Sequence, residues 1–233
     1  MSNFIGLDAC RMGWCGIGQI EGKLIWGCFK SFENLIETYP ALKLILIDIP
    51  IGLSSKHASR TVDAKARTHL KRRKSSIFSP PCREALYAKN YQEALKINRK
   101  ITGKGISIQA YNIIPKIKAV DEWLSEKPND LNIYEAHPEL CFKTLNKNID
   151  LKYSKHDKTG LKERQSLLFD IDSNLKSVYK DLMTTYKREH IKPDDIFDAM
   201  SLYLIAKKQH SLQYIADKNN EDERGIPIRI VYG

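Results

Sequence analysis

Apolar and polar positions are patterned from the first residues. Phe4-Ile5-Gly6-Leu7-Asp8 is a short apolar run ending on a carboxylate, and after a turn at Gly13 a second run returns through Ile17 and Ile20. Residues 3–9, 14–20 and 23–30 are predicted to be three strands, with Glu21-Gly22 as the second turn. Ser31 has the chemistry of a helix N-cap, and Phe32, Leu35, Ile36 and Tyr39 follow at helical spacing up to Pro40. Residues 42–53 are apolar almost throughout, which predicts a strand buried on both faces and parallel to its neighbour. This run also carries an acid, Asp48, before the turn residues Pro50 and Gly52. Three antiparallel strands, a helix and a parallel strand make the start of an RNase H-like sheet, in which functional groups gather at the strand ends.

Beyond that sheet the pattern becomes helical and basic. Residues 60–67 have helical character, and Pro80-Pro81 fixes an extended loop after the cluster Lys71-Arg72-Arg73-Lys74. Helices are predicted over 83–101 and along the stripe Ile113, Ile117, Val120 and Leu124, where Pro115 shortens or kinks the second one. Between them, Gly103-Lys104-Gly105 lacks the spacing of a Walker loop and reads as a flexible turn carrying a basic residue. Residues 131–136 are a fifth strand, ending in Glu135-Ala136-His137-Pro138-Glu139. Residues 161–189 read as one long helix with Leu167, Leu168, Ile171, Leu175, Val178 and Leu182 facing inward. A strongly apolar helix then starts with Asp194 as N-cap and Pro193 just outside, placing Asp195 and Asp198 on one face. The tail 225–232 adds a short edge strand. The expected fold is therefore α/β, an RNase H-like mixed five-stranded sheet flanked by helices. It forms one domain over 1–233, with a helical basic subdomain, 54–130, inserted between strands 4 and 5.

Composition changes this picture in one respect, the placement of charge. The chain of 233 residues carries a net charge of +10. Between Lys56 and Asp130 there are 17 Lys and Arg against 7 Asp and Glu, while the remainder holds 21 of each sign. A basic segment on a neutral body points to a polyanionic partner, nucleic acid first, against the plainer alternative of a solvated lysine-rich surface. Arg60, Arg67, Arg72, Arg73, Lys74 and Lys104 are the candidate phosphate contacts. The five cysteines are scattered, without a CxxC pair, which argues for a reducing compartment. No apolar run reaches the roughly 20 residues of a membrane span, and the N-terminus has no basic leader, so a cytoplasmic, membrane-free protein is expected.

Asp has low strand propensity and is costly to bury unpaired, so Asp8 at the end of an apolar strand either binds something or bonds backbone amides in a turn. Asp48, the Glu135/Glu139 pair and the Asp195/Asp198 pair repeat the placement at other strand ends and at a helix start. Each has a structural alternative; Asp195, for example, can serve as a first-turn acid meeting the helix dipole. Together they form the donor set that holds Mg²⁺ or Mn²⁺ through carboxylates, water and substrate phosphates. Two such ions about 4 Å apart activate water and stabilise the leaving oxygen in phosphodiester cleavage. His137, beside Pro138, is the candidate acid or base, with a hydrogen-bonded structural histidine as its alternative.

The motifs G-L-D-A-C-R-M-G-W (6–14), I-D-I-P-I-G-L (47–53), R-x-x-D-x-x-A-R (60–67), S-S-I-F (75–78), E-A-H-P-E (135–139) and D-D-I-F-D-A (194–199) occur in this order along nearly the whole chain. The combination resembles a bacterial and archaeal family of unknown function described as predicted RNase H-like nucleases. The resemblance implies an RNase H-like fold. By analogy with RuvC-type resolvases, it also implies catalytic and metal-binding carboxylates on the first strand, after the fourth strand and on the last helix. Asp8, Asp48, Asp195 and Asp198 match those positions, although resolvases carry Glu where this chain has Asp48. Glu135 and Glu139 belong to the family's own motif. The expected function is a metal-dependent nuclease. The alternatives are an actin-like ATPase or phosphotransferase, for which the chain is short, a non-catalytic nucleic-acid-binding module, and a small-molecule phosphoester hydrolase.

Overall fold

A computed structural model describes residues 3–57, 59–126 and 131–233. The far end of the predicted insertion, residues 127–130, lies outside the described residues. In chain order the elements begin with β1 (Phe4–Cys10), β2 (Gly13–Ile20), β3 (Lys23–Phe29), α1 (Phe32–Thr38) and β4 (Leu44–Ile47). Four helices follow, α2 (Val62–His69), α3 (Tyr91–Thr102), α4 (Ile108–Asn112) and α5 (Ile114–Glu126). The chain continues with β5 (Asn132–Ala136), α6 (Pro138–Leu145), α7 (Lys158–Ile171), α8 (Leu175–Thr185) and α9 (Pro193–Ala206), and ends in β6 (Tyr214–Glu221) and β7 (Pro227–Val231). The protein is thus mixed α/β, with parallel and antiparallel strands flanked by helices. Among the described residues no helix is long and apolar enough to cross a membrane.

Two compact units divide the chain. The first comprises Met1–Asp48, Asp130–Gln213 and Val231–Gly233. Its strands run in the order β3-β2-β1-β4-β5. β1 pairs antiparallel with β2 and parallel with β4, and β4 pairs parallel with β5. As expected, Ser31 caps α1, its hydroxyl accepting the Asn34 N–H at 3.1 Å. The core of this unit is organised on α9, buried at every position from Ile196 to Ala206. That helix lies directly on β1, because Gly6 leaves no side chain between them. A Cβ at Gly6 would collide with the Tyr203 backbone nitrogen and stand 2.7 Å from the Ala199 carbonyl oxygen.

The second unit comprises Ile49–Asn129 and Tyr214–Ile230. Here β6 and β7 are neighbours, joined by a turn closed from the Asp222 N–H to the Ile226 carbonyl at 2.9 Å, with Gly225 at a φ of 72°. Buried ion pairs hold the unit together. Arg83 reaches Asp121 at 2.8 Å and also Asp222. Asp217 on β6 accepts the Val62 N–H at 2.6 Å and so satisfies the first turn of α2.

Several expectations are corrected by this architecture. A five-stranded sheet was predicted with the tail 225–232 as a further edge strand; β7 lies in that tail, and β6 is an additional strand among the described residues. β6 escapes the pattern because Asp217-Lys218-Asn219-Asn220-Glu221 is too polar to read as a strand, although Ile215 and Asp217 alternate inward. The single helix over 161–189 is two. Asp172 Oδ1 accepts both the backbone and side-chain N–H groups of Asn174, each at 3.1 Å, and this local turn competes with helix between α7 and α8. The buried face of α7 is Gly160, Arg164 and Leu168, whereas Ile171, assigned inward, is exposed. Pro115 neither shortens nor kinks α5, since it sits in the first turn, where no N–H is required. The N-cap of α9 is Lys192, so Pro193 lies inside the helix at its first position and Asp194 follows it.

Candidate functional site

Register decides which strand-end acids meet. In the parallel ladders Leu7, Ile47 and Glu135 form one row across β1, β4 and β5. Residues of one row share a face of the sheet, and the next row points to the other face. Asp8 follows Leu7 and Asp48 follows Ile47, its N–H donating to the Leu7 carbonyl at 3.0 Å. Gly6, two residues before Asp8, touches α9, so Asp8 and Asp48 face that helix. Asp198, one residue before Ala199 on α9, meets them there. Glu135 belongs to the other row and so does not share the face of Asp8 and Asp48.

Three carboxyl groups held together out of water repel one another, and all three are pushed up from their ordinary range. For Asp8 burial is the main cause, followed by Asp198 and Asp48, and the shift is large. Asp48 is raised by burial, against the lowering effects of His137, Lys155 and a hydrogen bond from Asp8. A hydrogen bond between two carboxyl groups needs a proton on one of them. Burial raises Asp198 to about 7 in spite of Lys155.

Lys155 is the cation of the cluster. It lies in the loop before α7, and its Nζ stands 2.5 Å from Asp198 Oδ2. Asp198, Asp8 and Asp48 all raise its pKa, so the ammonium stays charged. The other Asp198 oxygen, Oδ1, is buried and has no hydrogen-bond partner among the described residues. Gly160 helps to seat the loop, because a Cβ there would collide with the Ser154 carbonyl. No local pattern in the sequence singles out Lys155. The need for a cation follows only once three acids are known to share one place.

The remaining acids have partners of their own. Glu139, in the first turn of α6, forms a fully buried ion pair with Arg164, whose guanidinium also donates to the carbonyls of Tyr153 at 3.1 Å and Gly160 at 3.2 Å. Its charge still reaches the cluster, raising Asp48 and Asp198. Asp195 accepts the Lys192 N–H at 2.9 Å, the helix-capping role open to it from sequence. Its carboxyl is pushed up to about 6, chiefly by burial, and it adds a small repulsion to Asp8. His137 is the N-cap residue of α6 and acts on Asp48 through its charge.

Of the six basic residues expected to hold phosphates, two have internal work. The Arg60 side chain is 1% exposed; it forks onto Asp63 at 2.7 Å and donates to the carbonyls of Ile51 and Gly52 at 2.7 and 2.9 Å. Arg67 donates to the Ile77 carbonyl at 2.7 Å and to Ser79 Oγ at 3.1 Å. The R-x-x-D spacing at 60–63 therefore makes a buried ion pair, and the half-buried Arg67 guanidinium is engaged in part within the protein. Arg72, Lys74 and Lys104 are exposed and Arg73 is half-buried.

The donors of the acidic cluster are hard oxygens, the chemistry Mg²⁺ and Mn²⁺ prefer. The unpartnered Asp198 Oδ1 is an acceptor of that kind. In the present arrangement, no three His, Cys, Asp or Glu side chains among the described residues are close enough to hold one ion. The charge that balances the acids is that of Lys155.

Fold and site together define a mixed α/β protein built around a buried carboxylate–lysine cluster. The sequence matches the family model described as Protein of unknown function (DUF429) over residues 6–220, and the chain belongs to that family. No curated protein and no solved structure matches it.

Proposed function

We propose that this protein is a metal-dependent phosphodiesterase acting on nucleic acid, built on an RNase H-like scaffold. The observation that carries the reading is the convergence of Asp8, Asp48 and Asp198 from two strand ends and one helix, with Asp198 Oδ1 left without a partner. The strand order β3-β2-β1-β4-β5, antiparallel then parallel, is the arrangement such a scaffold requires. A divalent cation held by these carboxylates would supply a Lewis acid for phosphoryl oxygens. The chain's own residues prepare the place. Lys155 favours the ionised form of Asp198 against burial, Asp8 and Asp48 share a hydrogen bond, and His137 beside Asp48 is the candidate acid or base. The excess of positive charge in 56–130 attracts a phosphate backbone irrespective of its sequence.

A second reading, the non-catalytic binding module, is favoured by one observation: Lys155 already neutralises the acids. One experiment separates the two. Wild type and Asp8→Asn are assayed with Mg²⁺ and Mn²⁺ on single-stranded, duplex and branched DNA, RNA, an RNA–DNA hybrid and a chromogenic phosphodiester. Metal-dependent cleavage that disappears in Asp8→Asn is the expected result. Salt-sensitive binding without cleavage, unchanged in the variant, would establish the binding module instead.

A further inference from the structure

The second unit contains a cavity of about 230 Å³ whose wall includes Ser54, Ser59, Arg60, Asp63, Ser79 and Lys104. The polar groups of this wall are not evenly balanced between donors and acceptors. Ser54 Oγ accepts the Arg60 N–H at 2.8 Å, and Ser79 Oγ accepts from the Arg67 guanidinium at 3.1 Å. A hydroxyl that accepts in this way keeps its own proton to donate, and among the described residues neither proton has an acceptor. The one acid in the wall, Asp63, is neutralised by the Arg60 fork, which contacts both of its oxygens. Asn98 is fully engaged as well, with the Cys82 N–H, Thr102 Oγ1 and the Lys104 carbonyl. Lys104 makes no ion pair among the described residues. The groups that remain to face a ligand include hydroxyl protons and an ammonium.

We propose that this cavity is a phosphate-binding site. Convergent O–H and N⁺–H donors beside an acid that is already neutralised recognise an acceptor-only, negatively charged group. The volume lies below the range of drug-sized pockets, so the site takes a phosphate with at most a sugar-sized remainder. Arg60 and Arg67 serve it indirectly by orienting Ser54 and Ser79, and Lys104 supplies the direct charge. The phosphate comes either from a small phosphorylated compound or from a nucleic-acid backbone. The site does not depend on the carboxylate cluster of the first unit.

The test is calorimetric titration of the full chain with inorganic phosphate, ribose 5-phosphate, a short single-stranded oligonucleotide and citrate, up to about 10 mM, enough to saturate a site of millimolar Kd. Saturable binding of phosphate is expected. It should weaken about tenfold in Ser54→Ala and in the exposed variant Lys104→Gln, and stay unchanged in Asp8→Asn. Tighter binding of ribose 5-phosphate than of the oligonucleotide assigns the small-molecule source, and the reverse assigns the polymer. The proposal is overturned if phosphate does not bind, if citrate binds better, if Lys104→Gln binds as wild type does, or if Asp8→Asn abolishes binding.

Discussion

Replacing Lys155 by Met removes the one cation in contact with Asp198 and keeps most of the side-chain volume. At 2.5 Å and an effective dielectric of 20, the Lys155–Asp198 attraction is about 7 kcal/mol before desolvation. Truncating one partner of a buried pair costs about 3–5 kcal/mol. The lysine side chain is 33% exposed, so solvent screening reduces the expected loss to about 2–3 kcal/mol. In a chain of this size that lowers Tm by about 5–10 °C. The loss must depend on pH. Asp198 titrates at about 7 in the folded protein, well above its ordinary value of 3.8. Below pH 7 it is increasingly protonated, and Lys155 then has little to neutralise. Wild type and Lys155→Met should therefore melt together near about pH 5.5 and separate near about pH 8.5. Lys155→Arg, which keeps the charge, should behave like wild type. Under the proposed function, millimolar Mg²⁺ or Mn²⁺ should restore Lys155→Met at the higher pH more than it stabilises wild type, because the ion takes over the missing charge. Scanning calorimetry at the two pH values is the assay. An equal loss at both would refute the electrostatic account, and no loss at about pH 8.5 would remove Lys155 from the cluster.

Other outcomes follow from the same contacts. Because Asp195 and Asp198 titrate higher in the folded chain than in the unfolded one, the unfolded chain releases those protons first, so their contribution to stability falls as pH rises from about 4 to about 7 and is flat above; denaturant midpoints across that window check it. Asp8→Asn removes a carboxyl whose ionisation is opposed by burial and by its acidic neighbours, without changing shape, and should stabilise the protein by about 1–2 kcal/mol at about pH 8.5, with little change at about pH 4, in parallel denaturation curves. Arg164→Met removes the buried cation paired with Glu139 and should cost about 3–5 kcal/mol, with a substantial part recovered in the double variant with Glu139→Gln; non-additivity in a double-mutant cycle is the readout. Gly6→Ala should cost at least about 3 kcal/mol, because the new methyl meets backbone on α9 that no rotamer change can clear; a variant that melts like wild type would disprove the close approach.

Local pattern carried much of the first unit. The runs through Ile5 and Ile17, the Ser31 cap and the strongly apolar helix after Asp195 read correctly, and the run through Ile45 did so over Leu44–Ile47, because their hydrogen bonds are made with near neighbours or with the adjacent strand. The same pattern singled out Asp8, Asp48 and Asp198, since an acid at the end of an apolar run is conspicuous wherever the run folds. It failed where a residue's role depends on the far side of the molecule. Glu135 ends its strand as Asp8 and Asp48 do, yet a one-residue difference in register turns it to the other face. Arg60 and Arg67 belong to a basic stretch, but a guanidinium with five donors can close onto carbonyls 8 to 10 residues away as readily as onto a phosphate, and here it does. Asp217 lies in a polar run and still becomes a buried acceptor for Val62, 155 residues away. Lys155 is one lysine among many until Asp198 comes within 2.5 Å of it. Composition and periodicity thus determined the strands, the helices and the residues able to carry charge into the core. Only tertiary structure decided which of those charges meet, because burial makes every charge seek a partner and the partners are brought from distant parts of the chain.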